Sequence, residues 1–328
     1  MNPTAAPLPR CVVVCGPTAA GKTGIALEIA RRFPARLISA DSVQVYRGLE
    51  IGSAKPASEV LERFPHALIG IREPEEAYTA ADFARDAAAE IGAAAGQGRI
   101  PVVVGGTALY LKALRYGLDP MPAADPDIRA RIAAEAARRG WPALHRELEG
   151  LDRAAAERIR PSDPQRLQRA LEIIRATGRA VSEFHSGRGP DRLAGSVMLV
   201  VAAADRGVLH RRIERRWTEM LEQGLVDEVR GLLARPGLKR DAPAMRAVGY
   251  RQAVQCLDGA FGRSELAARG AAATRQLAKR QITAFRQWTG GMWYDPLNRT
   301  TIDRIINRVQ EAFDNLGGKD GPGGVSGP

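Results

Sequence analysis

Short continuous apolar runs alternate along the first part of the chain with longer stretches in which apolar residues recur at helical spacing. Residues 11–15 (CVVVC) end directly on Gly16, the pattern of a strand buried on both faces that feeds a glycine turn. From Lys22 the apolar positions Ile25, Leu27, Ile29 and Ala30 lead to Arg31 and Arg32 and stop near Pro34, which predicts a helix with basic residues in its last turn. Residues 37–40 (LISA) predict a second strand that runs into Asp41. Further strands are predicted over 66–71 and 100–104, the latter followed by Gly105, Gly106 and Thr107, and helices over 78–95 and 108–115. This alternation predicts an α/β domain with a doubly wound, mostly parallel sheet, in which ligands sit beyond the carboxyl ends of the strands. Gly16, Asp41 and residues 105–107 all fall at such ends.

Beyond Pro120 the strand-like runs disappear. Helical spacing over 127–139, 141–148, 153–159 and 165–177 predicts an all-helical insertion at 120–194, and the apolar run at 197–202 (VMLVVA) returns the chain to the sheet. The core domain is therefore expected to be discontinuous, 8–119 with 195–312. Residues 205–233 predict one long amphipathic helix and 264–288 a basic helix, while the Gly-, Pro- and Ser-rich tail at 313–328 is expected to be disordered. No internal repeat is evident.

Composition narrows the class. With 328 residues the chain can bury a substantial core without disulfides, and of its three cysteines Cys11 and Cys15 fall inside a predicted buried strand, as small core residues do. A reducing, cytoplasmic setting follows, with no signal peptide and no membrane segment expected. Lysine and arginine outnumber acidic residues 48 to 37, a net charge of +11, which points towards a polyanionic partner without identifying it. His66, His145, His185 and His210 are scattered without metal-ligand spacing, so no structural zinc is expected.

The candidate chemistry centres on Gly16, Pro17, Thr18, Ala19, Ala20, Gly21, Lys22 and Thr23, a full phosphate-loop pattern between strand and helix. Backbone N–H groups at the helix start offer positive dipole ends to phosphate oxygens, Lys22 supplies charge, and the Thr23 hydroxyl can ligate Mg²⁺. The expected fold is thus a P-loop NTPase-like parallel sheet flanked by helices. A nucleotide-hydrolysing motor would carry a metal-holding aspartate at a strand end, yet the 100–104 strand ends in Gly-Gly-Thr. Asp41 is the nearby acid: it could hold Mg²⁺ indirectly, act as a general base, or only cap the following turn. Thr107 could cap a helix, bind substrate, or both. On the 205–233 stretch, Arg211 with Arg215 and Arg212 with Arg216 are like-charge pairs one helical turn apart, which a diphosphate or nucleic-acid backbone would relieve, although a solvated basic face would show the same pattern. Residues 273–288 interleave cations and amides with aromatics, suited to phosphate contact and base stacking, although a surface helix that buries Leu277, Ile282 and Phe285 would look the same.

In order along the chain stand GPTAAGKT at 16–23, ISADSVQVYRGLEIGSAKP at 38–56, AYTAADFARDA at 77–87, RIPVVVGGTALYLKAL at 99–114, DPQRLQRALEI at 163–173, RAVGYRQ at 246–252 and TRQLAKRQITAFRQW at 274–288. This set resembles the bacterial tRNA dimethylallyltransferase (isopentenyl-diphosphate:tRNA isopentenyltransferase) family, collinearly over about residues 12–288. The resemblance implies transfer of a dimethylallyl group from dimethylallyl diphosphate to N6 of adenosine-37 beside the tRNA anticodon, with the loop holding a diphosphate in place of ATP. It implies that Asp41 is the general base, that Thr107 orients the amine, that Thr23 ligates Mg²⁺, and that arginines among 211, 212, 215 and 216, here Arg212 and Arg216, face the diphosphate. By the same resemblance the tRNA anticodon stem-loop is contacted by Asp41, Ser42, Val43 and Gln44, by Thr107 and Arg129, and by Gln165, Arg166, Leu167, Gln168 and Arg169. Further contacts are implied at Arg246, Ala247, Val248, Gly249, Tyr250 and Arg251, and at Lys279, Arg280 and Gln281. The target base would be flipped into the protein, the helical insertion would grip the stem, and a monomer is the default. Two departures from the family pattern are local: Ser53 replaces the usual threonine, and residues 69–71 (IGI) lack a central acid. A small-molecule kinase would use the same loop and Asp41 but leave the basic helices without a role; a non-catalytic RNA-binding protein would leave Asp41 without one.

Overall fold

The computed structural model describes residues 6–184, 187 and 189–314; His185 and the expected tail from residue 315 onward lie outside the described residues. Two compact units are present, one formed by the chain up to Tyr116 and from Asp191 onward, the other by Gly117–Pro190.

In the larger unit six strands, β1 (Val12–Cys15), β2 (Ala35–Ser39), β3 (His66–Ala67), β4 (Ile100–Gly105), β5 (Val197–Val201) and β6 (Met292–Tyr294), form one parallel sheet in the order β3-β2-β4-β1-β5-β6. β1 lies between β4 and β5, with Val14 in register with Val104 on one side and Leu199 on the other. Both faces of the sheet are covered, which is why these strands read as unbroken apolar runs. Cys11, Val13, Cys15, Val103 and Val200 face one apolar layer, and Val12, Val14, Val102, Leu199 and Val201 face the other. The two cysteines are free and fully buried, and burial pushes their thiols up, to about 11 for Cys11 and about 12 for Cys15.

Four helices precede the chain's departure into the smaller unit: α1 (Lys22–Arg32), α2 (Ser58–Arg63), α3 (Ala80–Gly96) and α4 (Ala108–Tyr116). α3 begins with a capping box, in which the Thr79 hydroxyl accepts from the Asp82 N–H and the Asp82 carboxylate accepts from the Thr79 N–H. β3 is far shorter than the strand predicted over 66–71. Leu68 and Gly70 adopt φ values of 66° and 61°, and the N–H groups of Gly70 and Ile71 turn away from the sheet to the carbonyls of Gln44 and Val45. At the departure point the Arg115 guanidinium forks onto the Asp191 carboxylate at 2.6–3.0 Å, and the Arg192 N–H donates to the Arg115 carbonyl, so the outgoing and returning strands of chain are clamped together.

The smaller unit contains α5 (Pro126–Arg139), α6 (Trp141–Leu151), α7 (Arg153–Arg158) and α8 (Pro164–Thr177), around a core that includes Ile132, Leu144, Leu148, Leu167 and Leu171. Asp125, Asp152 and Asp163 cap α5, α7 and α8.

After β5 the expected single helix over 205–233 is instead two, α9 (Arg206–Glu222) and α10 (Leu225–Leu233), separated at Gly224 with φ 95°. Glycine takes this left-handed conformation without the Cβ penalty and so stops α9 there. α11 (Tyr250–Leu257), α12 (Arg263–Arg286) and α13 (Thr301–Asp314) complete the unit, α13 laying Ile305 and Val309 onto the second apolar layer. Phe313 and Asp314, expected in the tail, close this helix. Among the described residues no helix is long and apolar enough to cross a membrane.

α9 and α12 are fixed to each other by Trp217. Its indole N–H donates to the Thr274 hydroxyl at 2.9 Å, and its ring lies where a Cβ on Gly270 would project. Gly270→Ala should therefore overpack this contact and destabilise the protein by about 1–3 kcal/mol, measured as a lower midpoint of denaturant unfolding.

Candidate active site

The phosphate loop begins where β1 ends. The Gly16 backbone (φ 146°) is pressed against β5 so closely that a Cβ would run into the Val201 carbonyl, and Ala19 and Gly21 also adopt positive φ, 62° and 90°. These turns bring the loop over the start of α1. Unlike the neighbouring aspartate- and threonine-capped helices, α1 has Gly21 as its cap, no capping side chain and no acid in its first turn. Its first N–H groups thus have no side-chain acceptor, and they start from a phosphate-loop turn, the arrangement that suits an anion. Lys22 Nζ donates to the Pro17 carbonyl at 2.8 Å, Thr23 is exposed, and the Arg212 guanidinium lies beside Gly21.

Two strand ends place the acid and the threonine together. A Cβ on Gly105 would collide with the Ala40 carbonyl, so β4 and the end of β2 meet backbone to backbone. The Thr107 N–H donates to the Ala40 carbonyl at 3.2 Å, and the Thr107 hydroxyl accepts from the Ser42 N–H at 3.0 Å and donates to the Ser42 hydroxyl at 3.3 Å. That hydroxyl therefore serves the Asp41 turn. One Asp41 oxygen, Oδ1, accepts from the N–H groups of Val43 (2.9 Å) and Gln44 (3.3 Å), so Asp41 caps its own turn, and Oδ2 has no hydrogen bond among the described residues. The two roles open to Asp41 are compatible: one oxygen orients the carboxylate and the other faces no protein donor.

The charge balance at the loop is positive. Burial pushes the Lys22 ammonium down from its usual value to about 8, against the pull of Asp41 and with a further push from Arg216. Burial likewise lowers Arg216, whose guanidinium donates to the Ser53 carbonyl at 3.4 Å and has no carboxylate bonded to it. Arg211 and Arg215 point outward instead and pair with Asp205 and Glu219. Helical geometry thus separates the four arginines, with Arg212 and Arg216 turned to the loop.

Behind Arg216, Glu228 on α10 accepts from the N–H groups of Glu50, Ile51 and Gly52 and from the Tyr250 hydroxyl, at 2.6–3.3 Å. Burial, reinforced by that carboxylate, holds Tyr250 far above the ordinary phenol range. Sequence inspection missed Glu228, because an acid in the first turn of a helix reads as dipole compensation. Ser53 keeps the hydroxyl of the usual threonine, donating to the Leu49 carbonyl at 2.6 Å. At Gly70 (φ 61°), where the expected acid is missing, neighbouring Lys55 pairs with Glu50 at 2.6 Å.

The residues expected to meet RNA separate into buried and exposed groups. Gln44 bonds to Ser39, Ser53 and Ala54, Ser42 is tied to Thr107, and Val43, Ala247 and Val248 are half-buried. Gly249 and Tyr250 are buried, while Arg246 and Arg251 are exposed and carry no ion pair among the described residues. Lys279 and Arg280 on α12 are also exposed and unpaired. Gln281 is turned inward, its Oε1 accepting from the Thr18 N–H at 2.9 Å and its Nε2 donating to the Gly106 carbonyl at 2.8 Å. A cavity of about 350 Å³ between α9 and α12 is lined by Arg206, Lys279 and Arg286 over an apolar floor of Leu209, Ala278 and Ile282. In the helical unit Gln165 and Arg166 are exposed, Leu167 belongs to the core, and Gln168 donates to the Arg129 carbonyl. Arg129 and Arg169 both bond to the fully buried Glu172, at 2.9 and 3.1 Å.

A parallel sheet with a phosphate loop at its carboxyl edge, a carboxylate beside that loop and three cations, Lys22, Arg212 and Arg216, without carboxylate partners among the described residues defines a P-loop α/β protein. The chain belongs to the IPP transferase family, whose model matches residues 44–288. A tRNA isopentenylpyrophosphate transferase from Bacillus halodurans is 35% identical over 94% of this chain and 98% of its own, with a TM-score of 0.67. The tRNA delta(2)-isopentenylpyrophosphate transferase of Staphylococcus epidermidis is 29% identical over 92% and 99%, with a TM-score of 0.65. A eukaryotic dimethylallyltransferase acting on tRNA shares the fold at 22% identity, covering 96% of this chain and 81% of its own, with a TM-score of 0.75.

Because Lys22 is depressed to about 8, the empty site loses this positive charge as pH rises through that value. Diphosphate also titrates across this range, so the effect of Lys22 is read against Lys22→Met: the native protein's advantage in diphosphate affinity over the variant should be constant below about pH 7 and shrink progressively above pH 8. Titration calorimetry of both proteins across pH 6.5–9.5 checks this.

Proposed function

We propose that this protein transfers the dimethylallyl group of dimethylallyl diphosphate to N6 of the adenosine beside the anticodon of tRNA. The observation that carries the reading is the convergence of Lys22, Arg216 and the uncapped α1 start on one side of Asp41, with Thr107 bonded into the Asp41 turn. A carboxylate so close to a phosphate loop needs a purpose, and removing a proton from a weakly nucleophilic amine supplies one. N6 attacks C1 of the prenyl donor; the C–N bond forms as the C1–O bond breaks, the amine proton passes to Asp41, and diphosphate departs intact. Lys22, Arg212, Arg216 and the α1 N–H groups stabilise the negative charge gathering on the leaving group. Thr107 keeps the Asp41 turn in place and orients the amine.

Magnesium suits this donor set. The Thr23 hydroxyl is exposed beside the α1 start and makes no hydrogen bond among the described residues, and Mg²⁺ keeps several waters and takes most of its other oxygens from substrate phosphates, so a phosphate-loop hydroxyl can serve as a protein ligand. When bound, the ion would neutralise charge on the diphosphate, held by Thr23.

Arg246, Arg251, Lys279 and Arg280 supply exposed cations for the RNA backbone, and the net charge of +11 is consistent with such a partner. A tRNA substrate places such an enzyme in the cytoplasm.

Incubating the protein with unmodified tRNA, Mg²⁺ and labelled dimethylallyl diphosphate should place label in the RNA; its absence with folded protein refutes the proposal. Asp41→Asn keeps an acceptor for the Val43 and Gln44 N–H groups but removes the base, so turnover should fall by about 10²–10⁴-fold with little change in melting temperature. Affinity for tRNA should fall steeply with salt, and Lys279→Ala with Arg280→Ala should lower the slope of log K against log salt by about 2.

A further inference from the structure

Gln281 joins three segments that are distant in sequence. From the inner face of α12 its carbonyl oxygen receives the Thr18 N–H of the phosphate loop, and its amide nitrogen donates to the carbonyl of Gly106, next to Thr107. The side chain is buried, and its bond to Gly106 forms away from bulk water, where an amide left unmatched is costly, while the bond from Thr18 is partly shielded. Space for it exists only because residue 106 is glycine: a Cβ there would stand 2.5 Å from Gln281 Nε2, with the Gly16 carbonyl and Lys22 Nζ close behind. β1 and β4 are paired up to Cys15 and Gly105, and beyond that pairing one side chain on α12 ties the leaving-group loop to the segment that bears Thr107. The same helix carries Lys279 and Arg280 outward, exposed and unpaired, immediately before that side chain.

We propose that Gln281 is a positioning residue that couples RNA engagement on α12 to the geometry of the diphosphate loop, so that the two substrates reinforce each other's binding. The inference rests on the transferase reading given above. An RNA backbone held by Lys279 and Arg280 restrains α12, and through the Gln281 amide that restraint fixes the Thr18 N–H and the 105–107 segment together. By linkage, diphosphate bound at the loop must tighten RNA binding by the same factor. Loss of Gln281 would leave each substrate a site but remove the connection between them.

The test measures the dissociation constant of inorganic diphosphate with Mg²⁺, in the presence and absence of a saturating unmodified anticodon stem-loop RNA. For the native protein the RNA should tighten diphosphate binding about 5–50-fold. Gln281→Met, which keeps the length but removes both hydrogen bonds, should bring that ratio below about 2. Because the ratio is taken within one folded variant, a general loss of stability leaves it unchanged. Should the methionine variant not fold, Gln281→Glu keeps the acceptor for Thr18 but sets an oxygen against the Gly106 carbonyl, with the same expected loss of coupling. A native ratio near 1 in a protein that transfers label to tRNA overturns the coupling and leaves the transferase reading standing. A methionine variant, or in its stead the glutamate variant, with the native ratio also overturns it. Failure of the native protein to bind diphosphate at all overturns both.

Discussion

At the carboxyl edge of the sheet, backbone meets backbone with no room for a side chain. Gly16 lies on the Val201 carbonyl and Gly105 on the Ala40 carbonyl, so the ends of β1, β2, β4 and β5 converge within van der Waals contact of one another. Everything the site does depends on this close approach. It allows the Thr107 N–H to reach the Ala40 carbonyl and the Thr107 hydroxyl to reach Ser42, and it sets the phosphate loop beside the Asp41 turn. A β-carbon at Gly16 would force the loop off β5, and one at Gly105 would force β4 from the residue before Asp41, before altering a single functional group.

The site is assembled so that polar groups which would ordinarily satisfy one another within the chain are left partly unmatched. α1 lacks the side-chain cap found on α3, α5, α7, α8 and α9. Arg216 is half-buried with only a backbone carbonyl bonded to it among the described residues, and Lys22 is depressed by its surroundings. Such an arrangement costs stability in the empty protein and is repaid when an anion arrives, because the desolvated cations and free N–H groups then find their counter-charge. The surrounding structure is correspondingly well bonded: Glu228 holds the 50–52 turn and Tyr250, Trp217 locks α9 to α12, and Arg115 with Asp191 closes the gap where the helical unit is inserted.

Where expectation and structure part, the cause is local backbone chemistry. The strand predicted over 66–71 lasts two residues because Leu68 and Gly70 turn to positive φ and follow the Asp41 turn instead of the sheet. The helix predicted over 205–233 breaks at Gly224, which an apolar periodicity continuing on both sides concealed. β6 and α13 went unpredicted: a three-residue edge strand leaves almost no periodic signal, and a C-terminal amphipathic helix becomes meaningful only once there is an apolar layer for it to cover.

Taken alone, the amino-acid sequence determined the parallel sheet, the phosphate loop and the rim on which Asp41 and Thr107 meet it, since unbroken apolar runs ending in glycine specify both a buried strand and the turn that follows. It also confined the cations to four arginines at i, i+4 spacing. The i, i+4 spacing alone left both pairs open, and although the family resemblance pointed to Arg212 and Arg216, it is the tertiary structure that lays that pair against the loop while Arg211 and Arg215 pair with Asp205 and Glu219 at the surface. It alone turned Gln281 inward to join Thr18 and Gly106, 263 and 175 residues away in the chain. The division has one physical reason: spacing along a chain sets which residues share a helix face, but what that face meets is fixed by packing between segments that no local pattern relates.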